Sequence, residues 1–136
     1  MRRLLTYGII FSMLMLATCK QFPMVNCDQC YSNKPDSADL HVKVTINAEN
    51  PKVYLTFYRG KVEDKVVEWG DSTTDANFYL LVKVEQYYSV EARYKSGNKT
   101  IIAVDGGKIN TQLQTDACND NCYILSGGEL DVRLHY

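Results

Sequence analysis

No charge of one sign dominates this chain: across 136 residues, 15 Lys and Arg stand against 16 Asp and Glu. The balance leaves no electrostatic footprint for nucleic acid, which calls for a basic patch or stripe. Proline is scarce, with 3 residues, and no apolar run is long enough to cross a bilayer as a helix, which takes about twenty residues. No window carries helical periodicity, and neither a repeat nor a low-complexity tract is found. There is no P-loop, no G-x-S-x-G and no H-E-x-x-H, so the common phosphate-binding, serine-hydrolase and zinc-protease chemistries have no foothold. Acidic residues are spread along the chain, and some pair of them would suit glycoside hydrolysis in almost any protein, so they carry no argument. No catalytic residues, no resident metal and no cofactor are expected.

What is present begins at the amino terminus. Arg2 and Arg3 precede a short uncharged run, Leu4 to Leu16, the layout of a signal peptide. The run ends at Leu16-Ala17-Thr18-Cys19, which resembles a bacterial lipobox, with Thr18 where Gly or Ala is commoner. The resemblance implies cleavage before Cys19 and lipidation of its thiol. Acyl chains bury about 0.8 kcal/mol per CH₂, so such an anchor would hold. Lys20, in place of the Asp associated with inner-membrane retention, directs the expectation to the outer membrane of a Gram-negative cell envelope. Residues 1–18 are thus read as signal, 19–37 as a lipidated tether and 38–136 as one folded domain.

That domain alternates. In "LHVKVTI", Leu40, Val42, Val44 and Ile46 point one way and His41, Lys43 and Thr45 the other, the period of a half-buried strand. "VYLTFY" (53–58) is apolar on both faces, and further strands are read at 78–84, 87–94, 100–104, 108–114, 123–125 and 129–136. Ser96-Gly97-Asn98, Asp105-Gly106-Gly107 and Ser126-Gly127-Gly128 read as the turns between them. Short strands at this spacing predict an all-β fold, an antiparallel β-sandwich of about seven to eight strands.

Within it, "FYLLVKVEQYYSVEARYKSG" (78–97) sets an aromatic-led strand, a short turn, then Tyr-Ser-Val-x-x-x-Tyr before a glycine turn. On it rests a resemblance of the stretch from Val53 to Asp105 to the transthyretin-like, or carboxypeptidase-regulatory-like, sandwich, although Gln86 stands where that family usually has Gly. The resemblance covers less than half of the chain. It implies a spacer, an adhesion unit or a carbohydrate-binding support without a catalytic residue set.

Five cysteines remain to be assigned. Cys27, Cys30, Cys118 and Cys122 form C-x-x-C and C-x-x-x-C pairs, nearly the spacing of a tetrathiolate zinc site. A redox C-x-x-C belongs at a helix N-terminus, and "CDQC" lies in a turn-rich stretch instead. Outside the inner membrane thiols oxidise, and with Cys19 consumed by lipid the other four leave no thiol unpaired, so two disulfides are expected. Bridges between the clusters are favoured over bridges within them, because a link such as Cys27 to Cys118 closes about ninety residues and is worth about 4 to 5 kcal/mol.

The other constellations are weaker. His41 and His135 sit on polar strand faces, where solvation is the simpler account. "GDSTTDAN" (70–77) reads as a polar loop that offers Asp71, Asp75 and Asn77 as oxygen ligands but lacks EF-hand spacing. The same stretch, and Asp36-Ser37-Ala38, match a short bacterial O-glycosylation pattern, making Ser37 and Ser72 candidate acceptors. Tyr54 and Tyr58 share one face of their strand and, with Trp69, form a candidate platform for stacking sugar rings. The expected function is therefore a lipid-anchored, non-catalytic envelope module for adhesion, assembly, or glycan or protein binding. An accessory subunit, a small envelope hydrolase and a zinc-binding tetrathiolate domain are the alternatives.

Overall fold

The computed structural model describes residues 25–118 and 120–135. The signal segment, the lipobox and Cys19 lie outside them. Among the described residues eight strands form: β1 (Ser37–Lys43), β2 (Val53–Arg59), β3 (Val67–Thr73), β4 (Asn77–Lys83), β5 (Tyr87–Ser96), β6 (Lys99–Cys118), β7 (Asp120–Gly127) and β8 (Glu129–Asp131). They make a sandwich of two sheets, ordered β4-β1-β8 and β3-β2-β5-β6-β7. Most neighbours are antiparallel as expected, but β8 runs parallel to β1, pairing His41–Lys43 with Glu129–Asp131. Among the described residues no helix is long and apolar enough to cross a membrane.

The alternation read from sequence builds the core. Leu40, Val42 and Val44 from the β1 segment meet Val53, Leu55 and Phe57 of β2 and Val90, Ala92 and Tyr94 of β5, all buried. Tyr94 also closes the sandwich with hydrogen bonds. Its hydroxyl donates to the Val132 carbonyl at 2.7 Å and accepts from the Thr45 amide at 3.2 Å. Burial pushes that phenol's pKa up.

Two expectations are corrected. "GDSTTDAN" is not a loop: Gly70 to Thr73 belong to β3, an edge strand that pairs only with β2. Asp71 and Thr73 stand on the core side of β3 with Trp69, opposite Leu55, Val53 and Phe57, so hydrophobic alternation marks the strand only at Trp69. Likewise Asp105-Gly106-Gly107 is not a turn but the middle of β6, which continues through both predicted strands. The glycines are there for space. A Cβ on Gly106 would lie 2.7 Å from the Tyr87 hydroxyl on one face, and one on Gly107 would lie 3.3 Å from Leu130 on the other.

The segment before β1 is fastened to the sheet. Cys27–Gln29 form a single 3₁₀ turn capped by the Asn26 side chain. Cys27 bridges to Cys118 and Cys30 to Cys122, with Cα atoms 5.6 and 5.4 Å apart. Tyr31 then pairs with Tyr123 through two backbone bonds of 2.9 and 2.8 Å. The disulfides join the two cysteine clusters, and the cross-linked segment covers the outer edge of β7.

Candidate functional site

Because Val53, Leu55 and Phe57 point into the core, Tyr54, Thr56 and Tyr58 must line the opposite face of the five-stranded sheet. The register completes that face. Thr56 stands between Gly70 of β3 and Glu91 of β5, Glu91 is paired with Val104 of β6, and Tyr58 is followed by Ser89 and Gly106.

Two tyrosines lie down on this surface. The Tyr54 hydroxyl rests 2.7 Å from where a Gly70 Cβ would stand, and the Tyr87 ring edge lies 3.0 Å from the same point on Gly106. Each ring crosses onto the neighbouring strand because a glycine leaves room there, a known way of covering a glycine in a sheet. Tyr54 remains 50% and Tyr87 39% exposed, so one ring face of each stays wet. The two glycines are three strand spacings and two residues apart, about 16 Å.

Between the rings the surface is polar on β2 and β5 and apolar on β6, where Val104 beside Glu91 is 51% exposed. Thr56, Ser89 and Glu91 are all buried. The Ser89 hydroxyl donates to the Gly60 carbonyl. Glu91 accepts from the Arg93 guanidinium at 2.8 Å and, more weakly, from the Tyr58 hydroxyl at 3.4 Å. Burial first, and then the Glu91 carboxylate, push the Tyr58 pKa up, while the carboxylate reinforces the charge on Arg93. A depression of about 350 Å³ opens beside Tyr87, rimmed by Lys61 and Glu63 and floored by Ser89 and Gly106. The result is a shallow trough: aromatic at both ends, polar along its floor except at Val104, with rim charges of both signs.

The sequence candidates fall out as follows. Tyr54 and Tyr58 do share the face, but Tyr58 is buried beside Glu91 and offers little of its ring. Trp69 is on the other side of the sheet, its ring 5.5 Å from Phe57 and 5.7 Å from Phe78, so it belongs to the core rather than to the platform. Tyr87, Gly70, Gly106 and the Glu91–Arg93 pair were missed. The signal for them is a glycine diagonal to an outward tyrosine, legible only once the register is known.

Ser37 is exposed at the start of β1, whereas Ser72 is half-buried within β3 opposite Tyr54. Asp71, Asp75 and Asn77 are divided among β3, a turn and β4, and the Asn77 side-chain oxygen lies 2.8 Å from His41 Nε2. His41 stacks on Tyr79 at 4.6 Å on the outer face of the three-stranded sheet. Among the described residues, the one group with metal-binding spacing is Cys30, Cys118 and Cys122, and each of these is taken by a disulfide. No family model, no curated protein and no solved structure matches the chain.

Proposed function

We propose that the chain is a non-catalytic binding module, held at the cell envelope by lipid on Cys19, whose ligand is a glycan lying across the trough. The observation that carries this reading is the pair of recumbent rings, Tyr54 over Gly70 and Tyr87 over Gly106, flanking a polar floor. A sugar presents apolar C–H faces and a hydroxyl rim, and it asks for this combination of flat aromatic surface and nearby polar groups. The spacing suits an extended chain more than a single ring. Glu91 supports a non-catalytic role, being buried and committed to Arg93 and Tyr58 rather than open to a reacting group. The likeness of residues 53–105 to transthyretin-like sandwiches, which serve as spacers, adhesion units and carbohydrate supports, fits the same reading.

The test is affinity electrophoresis against a panel of neutral polysaccharides and peptidoglycan fragments. Tyr54→Ala combined with Tyr87→Ala is expected to lose at least tenfold in affinity for the retained polysaccharide while keeping a cooperative thermal transition, lowered only by the loss of the two cross-strand contacts. Base stacking on an aromatic is worth about 1 to 3 kcal/mol per base, and sugar stacking is taken to be of that order. Full retention of binding by the double variant would sink the trough as the site. For the anchor, Cys19→Ala should free the protein from membranes or leave its precursor uncleaved.

A further inference from the structure

Each sheet of the sandwich has two edges, and three of the four are protected. The edge of β7 is covered by Tyr31 and the cross-linked segment. That of β3 carries Glu68, Gly70 and Asp71 and has a register shift against β2. The third, β8, is only 3 residues long. Bulges, charges and short strands are the devices by which sheets avoid pairing with strangers. Among the described residues β4 is the least protected: seven residues in unbroken register with β1, without proline or inward charge, its one charge being Lys83 at the end.

The groups on its free side can be named. Val44 donates to the Ala76 carbonyl and Val84 to that of Asp36, so even-numbered residues of the β4 segment bond towards β1. By alternation, the N–H and C=O of Asn77, Tyr79, Leu81 and Lys83 face outward. The same four residues present their side chains on the outer face of the sheet, where Tyr79 is 60% and Leu81 69% exposed.

We propose that this edge pairs with β4 of a second copy, antiparallel about a two-fold axis at Leu80. In that register Tyr79 faces the partner's Leu81, Leu81 the partner's Tyr79, and Asn77 and Lys83 face each other at both ends. Every outward N–H and C=O finds a partner, about eight hydrogen bonds in all. Two aromatic–aliphatic cross-strand pairs replace exposed apolar surface. The ends are complementary in charge, because Lys83 of each chain comes diagonal to the other's exposed Asp75. The strand reads the same donors, acceptors and apolar residues in both directions, which is what a second copy fits and an arbitrary peptide does not. The dimer joins two three-stranded sheets into one of six and leaves the trough on the other sheet free. It depends on no part of the glycan reading.

Sedimentation equilibrium of the purified full-length product, in density-matched detergent, tests this. The expected mass at micromolar concentration is that of two chains. Leu81→Lys, at a mostly solvated position, is expected to weaken association at least tenfold, whereas Leu113→Lys on β6 leaves it unchanged. Lys83→Asp and Asp75→Lys should each weaken the dimer, and the two combined should restore it. A single-chain mass for the unaltered protein overturns the proposal. So does a dimer indifferent to Leu81→Lys, or a charge exchange that fails to restore association.

Discussion

Removing the disulfides one at a time and then together should give free energies that do not add. Cys27–Cys118 and Cys30–Cys122 close loops of 91 and 92 residues in sequence, yet the two bridges lie side by side. Taken alone, either constrains the unfolded chain by about 4.6 kcal/mol in the chain-entropy model. With one in place, the second closes only the short circuit through residues 27–30 and 118–122. That loop is about eight residues, worth about 2.5 kcal/mol. Replacing either pair by serine is therefore expected to cost about 2.5 kcal/mol, and replacing both about 7 kcal/mol, well beyond the sum of the singles. Urea unfolding of the four proteins (unaltered, each paired variant, and the quadruple variant) measures all three differences, each curve fitted with its own slope because losing a cross-link expands the unfolded chain. Single losses that sum to the quadruple loss would show the bridges acting independently, and the side-by-side arrangement would be refuted.

Two further outcomes follow from particular side chains. Tyr94→Phe keeps the ring but strands the Val132 carbonyl and the Thr45 amide, so it should destabilise by about 1 to 3 kcal/mol; an unfolding midpoint equal to that of the unaltered protein would show that Tyr94 contributes through its ring alone. Glu85 sits at positive φ in the β4–β5 turn, and the Thr111 amide and hydroxyl draw its carboxyl down to about 2. Its pKa is lower folded than unfolded, so its stabilisation is complete above the ordinary carboxylate range and disappears as pH falls towards 2. The melting temperature should accordingly drop less between pH 5 and pH 2.5 in Glu85→Gln than in the unaltered protein, and equal slopes would exclude Glu85 as a source of the acid sensitivity.

The inward half of the fold was legible because a two-residue period states which side chains are buried. Leu40, Val42 and Val44 sit where alternation puts them, buried, with Ile46 packed against the same core. The disulfide cysteines were legible for another reason: four cysteines in two clusters pair without remainder, and loop length favours bridges between clusters. What failed was the reading of glycine. Gly70 and Gly106 read as loop and turn residues because glycine usually marks turns, yet both are strand residues that make room for a tyrosine from the neighbouring strand. That role depends on register, which no local pattern contains. Trp69 failed for the converse reason. An edge strand of polar residues hides its alternation, so nothing in "EWGDST" reveals that the indole faces Phe57 and Phe78.

The placement of the staples bears on how an anchored module would carry load. In the proposed lipidated form, tension enters from Cys19 and meets the fold at Cys27 and Cys30, ahead of β1 at Ser37. Without the bridges, force along the chain would reach β1 first, and β1 holds its sheet together by pairing with both β4 and β8. With them, it passes through covalent bonds into Cys118 and Cys122, on the hairpin of β6 and β7. β6, the longest strand, pairs with β5 along ten residues on one side and with β7 on the other. Load is thus delivered to the five-stranded sheet, where rupture would require many ladder bonds to fail together, and the three-stranded sheet with its free β4 edge is bypassed. The same sheet carries the trough, so a pull between ligand and anchor would run through β2, β5 and β6 without crossing the sandwich interior.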